Sequence, residues 1–446
     1  MNIKMKKLNI LLLLIALLAA SCKKVLETEP QANISDEAVI VDKKSAQAAL
    51  TGVYDALQGL AGSNIVSQDL AGDNVVNFNA QNRVVADKTG GGGFSTFYVI
   101  INRANFILNK VPLLADGLVS QADKNQILGE AYFLRGLSYF DLGKTYGGVQ
   151  IVLEPATSAN AHKGVRRSTL EQTYAQALSD LNNAENLLSA TINRNKANKF
   201  TAYALKARLY LYTKKWDLAE EYASKSIAST NFELVKPYAT FFTSKNSRES
   251  IFEIAFSTSD KSSFYTNWRS PEQGGRHDYI PERGFVGLIL NPNLGGSRKS
   301  LLFQTPQGVY DLIQYGNQDG TSSIFILRIA EQYLIRAEAR AHKTVPDLQG
   351  AVEDLNKIKG RADVPLLTYT PQLTVNEVLL TIENERRFEL PFEGHRFIDI
   401  VRTGRAAEVF GAVNVNLKNP NFWVFPIPQS EIINDPDLAG DQNPGY

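Results

Sequence analysis

The densest cluster of titratable side chains lies in "ENERRFELPFEGHR", residues 383–396. It brings Glu383, Glu385, Arg386, Arg387, Glu389, Glu393, His395 and Arg396 close together. Two carboxylates in such a cluster could serve a glycosidase as acid and nucleophile, at separations of roughly 5–5.5 or 6.5–9.5 Å. The spacing argues against it. On a helix Glu385 and Glu389 share one face with neighbouring arginines, and Arg–carboxylate pairs keep acids ionised, the opposite of what a general acid needs. The expected role is a buried ion-pair network fixing the C-terminal helices. The other histidines, His162, His277 and His342, show no metal-type spacing, and "GGGG" (90–93) lacks the Lys-Ser/Thr of a phosphate loop. No catalytic residue, metal or cofactor is assigned.

The single cysteine, Cys22, carries a different chemistry. Lys4, Lys6 and Lys7 precede an apolar run from Leu8 to Ala20, and Ala19, Ala20 and Ser21 close it. The run is too short to span a membrane, which takes about 20 apolar residues. Basic, then apolar, then small is the layout of a secretory signal peptide. "LAASC" resembles the lipobox of bacterial lipoproteins, in which the thiol accepts a diacylglycerol and becomes the first residue after cleavage. Residues 1–21 are therefore read as a signal peptide, Cys22 as the lipidation site and 22–34 as a tether. Residues 35–446 are read as one domain. Lys plus Arg is 47 and Asp plus Glu is 46, so no charge excess points to nucleic acid.

The elements behind these residues are mainly helical. In "KFTAYALKARLYLYTKKWDLAEEYASKSIAST" (199–230), Ala207, Tyr210, Trp216, Ala219 and Ala223 fall at the offsets of a tetratricopeptide helix pair with a turn near Lys214. Ala339, Leu348, Ala351 and Leu355 reproduce the intervals of Ala207, Trp216, Ala219 and Ala223. A looser pair is read at 126–146 and 170–188, and another between 45–60 and 97–111. One such unit cannot bury its own face, so the pairs must stack. Irregular stretches interrupt them, chiefly 231–325 and 62–98, and long loops on a rigid frame are where binding concentrates.

Several motifs in order resemble the SusD/RagB family. They are "GEAYFLRGLSYFDLGKTYGGVQIV" (129–152), "RIAEQYLIRAEARA" (328–341), "ENERRFELPFEGHRFIDIVRTGR" (383–405), "FPIPQSEI" (425–432) and "QNPGY" (442–446), behind a start of "SCKKVLETEP". The resemblance implies a SusD-like fold with a tetratricopeptide-type scaffold and C-terminal family motifs over 328–446. It also implies a lipid-anchored protein on the exterior of a Gram-negative outer membrane. Such a protein captures a glycan, or sometimes a peptide, for a TonB-dependent (SusC-like) transporter.

A glycan surface needs apolar rings for sugar faces and planar polar groups for hydroxyls. Two stretches have that composition. The first supplies Asp73, Asn74, Asn77, Phe78, Asn79, Arg83 and Phe94; the second supplies Tyr265, Asn267, Trp268, Arg276 and Tyr279. Polar neighbours favour exposure for Trp268, whereas burial is favoured for Phe78 and Phe94. With only three Trp in the chain, Tyr and Phe must do most of the stacking. Three readings stay open: glycan capture, peptide capture by the same architecture, and a periplasm-facing scaffold.

Overall fold

Helix starts follow the capping chemistry of the sequence. The computed structural model describes residues 40–78, 93–158 and 160–446. The signal peptide, Cys22, the tether, Asn79 and Arg83 lie outside the described residues. Helix α1 (Lys43–Ala71) packs on α2 (Phe94–Lys110), α2 on α3 (Gln121–Tyr146), and α3 on α4 (Leu170–Leu187). The α1 start is a capping box: the Asp42 carboxylate accepts from Ser45 N at 2.7 Å, and Ser45 Oγ accepts from Asp42 N at 3.0 Å. Thr169 and Gln172 do the same for α4.

The spacing at 199–230 folds as a helix pair, α5 (Lys199–Tyr212) and α6 (Trp216–Ile227). Lys214 turns the chain with φ +56°, and Lys215 N returns to Tyr210 O at 2.8 Å. Ala207, Ala219 and Ala223 are fully buried where the two helices meet. Beyond α7 (Arg283–Leu290), the second pair is α8 (Ile329–His342) and α9 (Leu348–Arg361), and α8 packs directly on α6. Trp216 stacks on His342 at 4.3 Å and 14°, and Arg340 bridges Glu220 of α6 and Asp354 of α9. Repeat units distant in sequence thus stack as neighbours, the only way each can bury its apolar face. Helices α10 (Val375–Glu389) and α11 (Arg396–Arg402) complete this side, α10 covering an apolar cluster of Leu334, Leu355, Ile358 and Ile382.

Three antiparallel two-stranded sheets cross the insertions: β1 (Val75–Asn77) with β3 (Tyr279–Pro281), β2 (Ser250–Ile254) with β6 (Ile324–Arg328), and β4 (Leu302–Gln304) with β5 (Tyr310–Leu312). Among the described residues the fold is mainly α, as expected.

The Gly-Gly-Val turn after α3 has a steric reason. A Cβ on Gly148 would lie 1.9 Å from the Ser168 carbonyl oxygen and 2.7 Å from the Thr169 carbonyl carbon, both backbone. Gly148→Ala is expected to destabilise the chain by about 1–3 kcal/mol through overpacking. A urea-unfolding midpoint unchanged from the parent would contradict that contact.

Candidate functional site

The two candidate stretches are joined by a sheet. Val75 pairs with Pro281, Val76 with Ile280 and Asn77 with Tyr279, and Phe78 N extends the ladder to Asp278 O at 2.9 Å. Side chains alternate across a strand. Val76, Phe78 and Ile280 accordingly line one groove of about 1130 Å³, together with Arg283, Tyr310 and Asn414. Tyr279 and Asn267 line a second groove of about 870 Å³, with Gln58, Ser63 and Arg103 across it. The β1–β3 ridge is the partition between them.

At the crest, Arg276 is exposed and donates to Asp278 Oδ2 at 2.7 Å and to Asn267 Oδ1 at 2.7 Å. Tyr279 is half-buried beside them. Burial, then the Asp278 charge, raises its phenol, so it stays a neutral donor. Below the other face, His277 adopts φ +59° and stacks under Phe78 at 4.6 Å and 23°. Its Nε2 lies 3.2 Å from Asp311 Oδ1, a close ion-pair distance without hydrogen-bond alignment. Burial lowers the imidazole pKa, and the Asp311 charge opposes this only in part.

The candidate residues divide. Asn267 and Tyr279 line one groove, Arg276 bonds Asn267 at the crest beside it, Phe78 faces the other groove, and Asn77 pairs opposite Tyr279. Arg283, just past β3 in the second stretch, Tyr310 of β5 and Asn414 of the C-terminal segment join them; none was singled out as a ligand contact, and Asn414 reaches the groove from far along the chain.

Trp268, expected at the surface, is instead 0% exposed. It closes a single helical turn, Phe264–Trp268, so Phe264 and Trp268 share a face and both turn inward. The Trp268 ring packs on Tyr279 at 5.7 Å and on Phe392 at 5.6 Å. Tyr265 is buried too, its hydroxyl donating to the Gln273 carbonyl. Phe94 is buried against Tyr98 and Tyr146, as favoured above. Asp73 and Asn74, also offered as ligand contacts, are largely withdrawn from solvent. Asp73 pairs with Arg387 at 3.0 Å and Arg396 at 2.8 Å, and Asn74 Oδ1 accepts from Arg387 Nε at 2.9 Å. Arginines approaching from the C-terminal motif claim both polar heads.

The motif at 383–396 is an ion-pair network. Arg328 reaches Glu249 at 2.6 Å, Glu389 at 3.0 Å and Glu393 at 2.8 Å, while Arg298 joins Glu385 and Glu389 and Arg361 joins Glu249 and Glu389. Burial would raise the Glu389 carboxyl, but Arg361, Arg298 and Arg328 outweigh it and hold it at about 2. Glu393 behaves otherwise. Burial pushes it up to about 7 against the single guanidinium of Arg328, helped by the charges of Glu389 and Glu249. The rule that arginine keeps an acid ionised fails there because burial outweighs the one guanidinium that reaches Glu393, whereas Glu389 has three. Glu393 is buried and lines neither groove.

The fold is a mainly helical frame of stacked pairs carrying a two-strand ridge between two grooves. Comparison with known proteins places it further. The SusD family model matches residues 298–446, and a second model, described as "Starch-binding associating with outer membrane", matches residues 25–211. The chain is similar to SusD-like protein P38 of Formosa agariphila, 26% identical over 99% of this chain and 100% of that protein. A SusD superfamily protein from Bacteroides thetaiotaomicron superposes with a TM-score of 0.75 at 26% identity, covering 91% of this chain and 100% of that one. A laminarin-binding SusD-like protein shares the fold with a TM-score of 0.75 at 22% identity, over 91% and 100% of the two chains. The chain belongs to the SusD/RagB family. No helix among the described residues is long and apolar enough to cross a membrane.

Proposed function

We propose that this chain is a surface lipoprotein that captures an oligosaccharide at the β1–β3 ridge and passes it to a TonB-dependent transporter. The observation that carries the reading is Tyr279, a half-exposed ring flanked by Arg276, Asp278 and Asn267 at the mouth of a groove. A sugar ring packs its C–H face on such an aromatic, while the guanidinium, carboxylate and amide meet its hydroxyls. Tyr279 is backed from inside by Trp268, so the platform is rigid before ligand arrives and little ordering entropy is lost on binding. The family supports a glycan, and the laminarin-binding relative suggests a β-glucan as the first probe. The chain acts by binding: the acids of the 383–396 cluster pair with arginines, and Glu393, the one raised toward neutral pH, is buried and lines neither groove.

Lipidation of Cys22 holds the protein to the outer membrane, each buried acyl methylene contributing roughly 0.8 kcal/mol. Protease added to whole cells is expected to shave the protein off, and the transporter is expected to copurify with it in detergent. Resistance to shaving would favour the periplasmic scaffold.

The direct test titrates residues 23–446 with laminarin, other neutral and acidic glycans, and a peptide mixture by calorimetry. Tyr279→Ala is expected to weaken glycan binding about tenfold by removing the stacking face, with the melting temperature little changed. A glycan-binding parent unaffected by Tyr279→Ala would move the site off this face of the ridge. Binding of peptides alone would replace the substrate.

A further inference from the structure

The ridge is too short to hold its own shape. Each strand has three residues and the two come from insertions far apart in sequence, and a lone two-stranded ribbon is marginal in water. Something at its base must fix it, and the contacts there converge on one residue. Asn74, immediately before β1, is 1% exposed. Its carbonyl accepts from Glu282 N at 2.7 Å, just past the end of β3. Glu282 in turn caps α7, its carboxylate accepting from Phe285 N at 3.0 Å. Asn74 therefore joins β1, β3 and the start of α7. Its side chain is held by Arg387, whose Nε donates at 2.9 Å while the same guanidinium pairs with Asp73 at 3.0 Å and lies 5.4 Å over the Phe285 ring. Arg396 takes the other oxygen of Asp73 at 2.8 Å.

We propose that Arg387 is a positioning residue for ligand capture, acting through Asn74 to set the register and pose of the β1–β3 ridge. It touches no ligand. A planar fork suits the task because it fixes two acceptors, Asn74 Oδ1 and Asp73 Oδ2, at a set angle; an ammonium cannot. Arg387 sits on α10, whose neighbouring residues Arg386 and Glu389 are buried in the ion-pair networks, so the ridge is referenced to a buried, ion-paired helix. The C-terminal motif thereby does more than fix the C-terminal helices: it sets where the distant loop begins.

The inference rests on the ridge being the ligand platform, and amide exchange tests it without ligand. In residues 23–446, which keep every described residue, Arg387→Gln is expected to speed exchange at residues 75–77 and 279–281 about tenfold, with α5, α6, α8 and α9 unchanged. Laminarin affinity, or that of whichever panel glycan the parent binds, is expected to fall about tenfold in parallel. Asn74→Ala should reproduce both effects, and the double variant should do no worse than either single, because both act on one path. Arg387→Lys, which keeps the charge beside Asp73 but loses the fork, should exchange nearly as fast as Arg387→Gln. Unchanged exchange at the ridge, or full additivity of the two substitutions, would overturn the positioning role. A parent that binds no glycan would count against the ligand reading alone, and the exchange result would still decide the positioning.

Discussion

Arg328→Ala is expected to cost about 3–5 kcal/mol, because it strips a buried cation from Glu393 and one of the cations from Glu249 and Glu389. Arg328 is about 1% exposed in its side chain and meets Glu249, Glu389 and Glu393, with its guanidinium 4.4 Å from the Phe241 ring. Loss of it leaves Glu393 without its cation and weakens the hold on Glu249 and Glu389. Urea unfolding followed by circular dichroism measures the change, and a shift under about 1 kcal/mol would show that the network tolerates an unpaired acid.

The same site predicts a pH signature. The Glu393 carboxyl binds its proton more tightly in the folded chain, at about 7, than at its ordinary value of 4.5. Between those values the folded state holds more protons, so stability falls as pH rises from about 4.5 to about 7. Glu389 has the reverse sign. Held at about 2, it contributes stability above its ordinary 4.5 that is lost as pH falls toward 2. His395, depressed to about 3 chiefly by burial, adds a rise in stability as pH climbs from 3 to 6.5. Glu393→Gln removes only the first of these, so the difference between the two stability curves should slope between about pH 4.5 and 7 and be flat above. A difference that is flat throughout would place the titration elsewhere.

Trp268→Ala is the second substitution of large expected effect, about 3–5 kcal/mol, from the cavity left by a fully enclosed indole. Its ring supports both Tyr279 and Phe392, so the loss reaches the crest of the ridge and the loop of the C-terminal motif together. Glycan binding would fall with it, through the fold and not through a lost contact. Differential scanning calorimetry separates the cases: Trp268→Ala should melt well below the parent, Tyr279→Ala close to it. Equal melting temperatures for Trp268→Ala and the parent would return Trp268 to the surface.

These two residues mark where sequence and structure part. The helix pairs at 199–227 and 329–361 were legible because small residues at fixed offsets, a turn at Lys214 and capping side chains are local signals. The motif at 383–396 was legible as an ion-pair network for a similar reason, since charges of both signs alternate on one helical face. Its cationic partners Arg298, Arg328 and Arg361 were not, as they arrive from three other elements. Composition alone put Trp268 in solvent. A loop's polar neighbours describe its solubility but not which way one helical turn faces, and that is settled by packing against residues far along the chain. For the same reason Asp73 and Asn74 looked like sugar ligands until Arg387 and Arg396 claimed them. Local order, from periodicity and capping, can be read from residue order because its interactions span a few positions. The ridge and its two grooves exist only once strands from the two insertions pair, and no short-range rule encodes that meeting.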